Sequence, residues 1–133
     1  MIAGVADTHA ALWYLFGDQR LSLPAKSFID QAASSGRKIV LSVISLAEIV
    51  YLIEKNRLPF EAYDKLRQAL GVFDYVIDEA PLTTGITEAM RQVPRAEVRD
   101  MPDRMVAATA VYFGVPVISR DGRIRASSLK TVW

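Results

Sequence analysis

The tightest constraint on this chain is an alternation: short runs of strand character recur along it, each separated from the next by stretches patterned as helix. Such an alternation reads as a parallel sheet joined by crossover helices, an α/β architecture. The strand runs are Ile2 to Ala6, Lys38 to Ser42, Asp74 to Ile77 and Val115 to Ser119, with Thr131 to Trp133 as a fifth candidate. Between them the spacing predicts helices from Thr8 onward, over Leu23 to Ser35, Ser45 to Asn56, Phe60 to Leu70, Thr83 to Val93 and Asp100 to Phe113. The last of these has the fullest signature, with an acid at its cap, a proline in its first turn, small residues within and Gly114 as its stop.

A chain of 133 residues is the size of one domain, so residues 1 to 133 are expected to form a single core. With 51% hydrophobic residues, no low-complexity stretch and no linker-like run, order is expected almost end to end. Cysteine is absent, which excludes disulfides, thiolate metal sites and a cysteine nucleophile, and suits a reducing, cytoplasmic setting. The N-terminal segment carries Asp7 and no basic leader, so it does not read as a secretory signal, and charged residues interrupt every long apolar run. A membrane span is not expected. Net charge is only +1, but residues 104 to 133 hold five basic side chains against Asp121 alone, which leaves −3 for the rest.

The acids fall where chemistry is expected. Open parallel sheets bind ligands at the carboxyl ends of their strands. Asp7 directly follows the first strand, Asp121 follows the fourth, Glu48 lies early in the helix after the second, and Asp100 and Asp103 open the helix that feeds the fourth. Carboxylates drawn from distant segments to one sheet edge repel one another unless a cation compensates, and all-oxygen clusters suit Mg²⁺ or Mn²⁺. Taken singly, Asp7 and Asp121 also read as turn residues, and Asp100 with Asp103 as a helix-capping pair. Glu48 is harder to explain that way, because it sits within the strongly apolar SVISLAEIVYLIE and a buried carboxylate needs a partner.

These residues resemble a known family. DTHA (Asp7 to Ala10), SLAEI (Ser45 to Ile49), DMPDRMVAATA (Asp100 to Ala110), ISRDGRI (Ile118 to Ile124) and the closing TVW are similar, in order and spacing, to the motifs of PIN-domain ribonucleases. The likeness is to the VapC-type toxins of bacterial and archaeal toxin–antitoxin pairs. It implies a three-layer α/β/α domain around a central parallel sheet of four to five strands. It also implies metal-binding acids at Asp7, Glu48 and Asp103, with Asp121 as a fourth and less directly coordinating one. Thr8 and Ser119 stand at supporting positions, and Asp100 is the helix cap or an accessory to the site.

Metal-assisted hydrolysis of a phosphodiester needs neither histidine nor a protein nucleophile, which agrees with a chain holding one His and no Cys. Arg104, Arg120, Arg123 and Arg125 are candidates for RNA phosphates, or else a solvated basic face. Two other readings share some of these features. A haloacid dehalogenase-like phosphatase also places an aspartate after strand one and uses Mg²⁺, but needs a second Asp where His9 stands. A non-catalytic interaction module would gain nothing from Glu48. The resemblance further implies a cognate antitoxin and a homodimer, and the large apolar side chains Trp13, Tyr14, Phe16, Val50, Tyr51 and Ile53 exceed what one core face can hold.

Overall fold

The structure, a computed structural model, describes residues 1 to 133. Five parallel strands form one sheet in the order β3-β2-β1-β4-β5: β1 (Ile2–Ala6), β2 (Lys38–Ser42), β3 (Ile77–Ala80), β4 (Val117–Ile118) and β5 (Thr131–Val132). Each strand's alternation assigns its side chains to opposite faces. Ile39 and Leu41 of β2 face one core together with Ile118 of β4, whereas Val40 and Val117 face the other.

The first core is closed by α1 (Thr8–Phe16), α2 (Leu23–Ser34), α3 (Val43–Glu54) and α4 (Glu61–Leu70), through Leu12, Ile29, Ile49 and Leu66. The second lies beneath α6 (Met101–Phe113) and α7 (Gly122–Ala126), through Val106, Ala110 and Ile124. The small Ala107 and Ala108 of α6 extend that packing to Ile86 of α5 (Thr84–Ala89). Three layers result, as the family resemblance implied.

Strands two and three step away from β1 on one side, and strands four and five lie on the other. The chain therefore reverses its winding between β1 and β4, and the crevice beyond the carboxyl ends of those strands is where such a sheet binds ligands. Asp7 leaves β1 at that point, and Ser119 to Asp121 leave β4 beside it.

Four sequence expectations need correction. The third strand is Ile77–Ala80, not Asp74 to Ile77: its register pairs Ile39 with Ile77 and Leu41 with Glu79, and as the edge strand it can carry Asp78 and Glu79 at little cost. The helix expected over Thr83 to Val93 stops at Ala89 and tightens into a 3-10 turn (Met90–Gln92). Strand four shortens to Val117–Ile118, because Pro116 has no N–H for the ladder, although its carbonyl still accepts from Val5 N at 3.0 Å. Helix α7 was not anticipated, since five residues with a glycine first and two arginines carry almost no helical signal.

Candidate active site

Four helix starts carry the site. Asp7 is the N-cap of α1, its Oδ1 accepting from Ala10 N at 2.9 Å. Asp121 caps α7, with Oδ1 accepting from Arg123 N at 2.9 Å and Ile124 N at 3.0 Å. Asp100 caps α6 by accepting from Asp103 N at 3.3 Å, which sets Asp103 in the first turn. Glu48 projects from the second turn of α3, half-buried, and accepts a 2.6 Å hydrogen bond from the Thr8 hydroxyl. The fold thus fixes one oxygen of Glu48 and one of Asp121, leaving Glu48 Oε2 and Asp121 Oδ2 without a protein donor.

All five acids line a single pocket of about 350 Å³, shared with Thr8, His9, Trp13, Arg20, Val106 and Arg120. The crowding shows in their proton affinities. Burial, then the charges of Asp100, Asp121, Glu48 and Asp7, push Asp103 up to about 7. Burial also raises Asp7, and the charge of Asp121 adds to it, while hydrogen bonds from Ser119 and Ala10 and the nearby His9 work in the opposite direction. Ser119, fully buried, meanwhile accepts from Asp121 N at 3.0 Å, so it braces the two acids that flank the switch point.

The donor set is all oxygen and strongly anionic, which fits a hard divalent cation. As the side chains stand, no three acids are gathered closely enough to hold one ion between them. Uncompensated carboxylates repel one another, and a cation would draw in the oxygens the fold has left free. The chemistry of the residues therefore fits such an ion, with side-chain rotation as the cost.

The candidate arginines divide. Arg120 stands at the pocket, its guanidinium 4.6 Å from the centre of the Trp13 ring. Arg123 and Arg125 are exposed on α7. Arg104 departs from the expectation: its Nη2 donates to Met90 O at 2.8 Å and Val93 O at 3.1 Å, so it closes the 3-10 turn and is not presented to solvent phosphate. Met90 O otherwise has only the Val93 N–H, at 3.1 Å, and Val93 O no backbone donor, a need that a basic residue three to four turns later in sequence gives no sign of meeting.

Two pocket residues escaped sequence reasoning. Trp13, grouped there with surplus apolar side chains, is only 6% exposed and forms the aromatic wall. Arg20 lies 5.0 Å from the same ring and is held by a two-point contact with Asp18, at 2.8 and 3.1 Å. Cation and ring reinforce each other at such distances, but the pairing spans a loop whose path no local pattern reveals. Of the remaining surplus apolar residues, Phe16, Val50 and Tyr51 are 46%, 40% and 54% exposed.

Comparison with known proteins adds to this geometry. The chain is 27% identical over 132 residues to Ribonuclease VapC22 of Mycobacterium tuberculosis, an alignment covering 95% of this chain and 92% of that protein. Its fold is similar to that in the crystal structure of VapBC2 from Rickettsia felis bound to a DNA fragment from their promoter, with a TM-score of 0.69, 16% identity, and 98% of this chain and 97% of that chain covered. It is also similar to DNA-bound VapBC from Salmonella typhimurium, with a TM-score of 0.67, 18% identity and the same shares of the two chains. The PIN domain family model matches residues 5 to 128, so the chain belongs to the PIN domain family.

Proposed function

We propose that this chain is a Mg²⁺-dependent endoribonuclease of the VapC type, acting as one domain over residues 1 to 133, in the cytoplasm, as the toxin of a toxin–antitoxin pair. The observation that carries the reading is the convergence of Asp7, Glu48, Asp103 and Asp121 on one pocket at the switch point of the sheet. Likeness to a named ribonuclease along 95% of the chain supports the reaction class. Metal dependence is general among PIN-domain nucleases, and the all-oxygen donor set favours Mg²⁺, with Mn²⁺ as a substitute.

Those four acids would hold the cation, with Asp100 at the edge of the set. When bound, it supplies an activated water and offsets the charge that builds on the phosphoryl oxygens. The chain's own part is positional. Thr8 aims Glu48 through its 2.6 Å hydrogen bond, and Ser119 holds Asp7 and Asp121 in place. Arg120, held over Trp13, receives a phosphate of the bound strand, with Arg123 and Arg125 further out.

The exposed Phe16, Val50 and Tyr51 give an antitoxin or a second copy of the chain an apolar surface, and the related structures that contain VapBC assemblies support a protein partner. No helix is long and apolar enough to cross a membrane.

The test is an end-group analysis of a labelled RNA digested by purified protein. Because water attacks and the 2′ hydroxyl takes no part, the ends should be 5′ phosphate and 3′ hydroxyl, and EDTA or Asp7→Asn should abolish cutting while His9→Ala costs little. Cyclic 2′,3′-phosphate ends, or cutting that survives EDTA, would overturn the mechanism.

A further inference from the structure

Outside the carboxylate pocket, uncommitted basic charge lies along two adjoining shallow grooves. One, of about 370 Å³, is lined by Ala96, Glu97, Arg99, Arg123, Ala126 and Ser127. The other, of about 470 Å³, shares Ala96 and Arg99 and adds Arg95. None of the three arginines takes part in an ion pair; the pairs in this chain are Arg20 with Asp18, Lys26 with Asp30, Lys38 with Asp78 and Arg91 with Glu88. The one acid among them, Glu97, has its Oε1 engaged by Ser128 N at 2.7 Å and Ser128 Oγ at 3.1 Å. Three guanidinium groups against one carboxylate leave the groove with a net charge of +2.

Two separate stretches of chain tie this groove to the carboxylate pocket. Arg99 immediately precedes Asp100, and Arg123 follows Asp121 by two residues, while both aspartates line the pocket. At about 3.8 Å between consecutive Cα atoms, each arginine's backbone lies within two steps of a pocket acid. The groove therefore neighbours the pocket along the chain and carries the opposite charge, and Ala96 and Ala126 in its lining present no large apolar side chain.

We propose that Arg95, Arg99 and Arg123 form a phosphate-binding groove that seats the backbone of a single-stranded RNA one or more nucleotides from the bond being cut. The proposal rests on the ribonuclease reading and names where the rest of its substrate lies. An anionic pocket cannot by itself attract a polyanion, so binding requires cations alongside it, and arginine forks suit phosphate oxygens in particular. A protein partner would call for aromatic or large aliphatic anchors, which the groove lacks.

The experiment compares the wild type with the double variant Arg99→Gln/Arg123→Gln, both positions being exposed so that the melting temperature serves as a check on folding. Fluorescence anisotropy with labelled single-stranded RNA in EDTA, across roughly 50 to 200 mM salt, gives affinity and its salt slope. For an RNA of about twelve nucleotides, affinity should fall roughly tenfold and the slope should shrink by about 0.7 for each phosphate no longer neutralised. Shortening the RNA to about three nucleotides should shrink the difference between the two proteins, since a strand with fewer phosphates spans fewer of the three arginines. An unchanged slope and affinity for the longer RNA would overturn the proposal, as would an equal loss at both lengths, or binding of an acidic peptide in place of RNA. Cutting of the same RNA in Mg²⁺ separates the two readings. A wild type that binds with this salt slope but never cuts sinks the ribonuclease and leaves the groove standing; a double variant that cuts with unchanged KM does the reverse.

Discussion

Replacing Asp103 with Asn should make the metal-free protein more stable, and only at higher pH. Folded, Asp103 holds its proton up to about 7, against an ordinary value of 3.8, because it is partly buried among four other acids. The folded state therefore binds this proton more tightly than the unfolded chain does. Below the lower value both states are protonated and nothing is lost; as pH rises between the two, the unfolded chain ionises first and folding weakens; above the upper value the whole penalty applies. Taken in full, that difference is worth about 4 kcal/mol. The carboxyl remains partly open to solvent, which screens its neighbours and brings the penalty nearer to ~2 kcal/mol. Asparagine also gives up a favourable negative charge in the first turn of α6, which takes back about 0.5 kcal/mol. The net gain of ~1.5 kcal/mol corresponds to a rise of about 5 °C in Tm for a domain of this size. Melting curves followed by circular dichroism in EDTA at pH 4 and pH 8 read it directly. The gain should be present at pH 8 and nearly absent at pH 4, and saturating Mg²⁺ should stabilise the wild type more than the variant. A gain of equal size at both pH values, or a loss at pH 8, would refute the electrostatic argument.

Two further substitutions separate residues that serve the site from those that serve the fold. Thr8→Val removes the hydroxyl that fixes Glu48 while keeping its shape, so Mg²⁺ affinity and kcat should fall about tenfold, as loss of a residue that orients a metal ligand typically does, with Tm moving little; metal titration alongside kinetics reads both. Arg104→Met should instead cost ~2 kcal/mol in stability, because it leaves Val93 O without a donor and Met90 O with only the Val93 N–H, while the RNA affinity of the folded protein stays unchanged. A weakened RNA affinity for Arg104→Met at a temperature where it remains folded would restore it to the set of phosphate-binding residues.

What could be read from the sequence followed a physical rule. Strands β1 and β2 fall at the predicted boundaries because each is a run of apolar residues bounded by an acid or a cap, whereas β3 was displaced by three residues because its acids, Asp78 and Glu79, look like a turn and are tolerated only at a sheet edge. Edge position is a property of the assembled sheet, and no local pattern encodes it. The same holds for Arg104, whose acceptors lie 11 and 14 residues away, and for Trp13, which meets Arg120 only once β1 and β4 are adjacent. The acids were legible for the opposite reason. Asp7 and Asp121 lie at strand ends, and strand ends are visible in sequence; Glu48 was conspicuous because its neighbours are apolar.

The choice that the sequence left open, turn residue or site residue for Asp7 and Asp121 and helix cap or site residue for Asp100, has a chemical answer in the structure. All three do cap helices. A carboxylate has two oxygens, and a cap uses one. For Asp121 both backbone donors fall on Oδ1, so the bonds that start α7 also orient Oδ2 without occupying it. Capping also brings the positive end of a helix against each acid, which eases the repulsion that would otherwise oppose folding around so many negative charges. Asp103 is the least compensated pocket acid: it has the first-turn position in α6 but caps nothing, its carboxylate receives no hydrogen bond, and its proton is held up to about 7. A divalent cation would relieve that acid most. The capping acids therefore let the pocket fold without metal, and Asp103 is the group through which metal binding should be felt as stability.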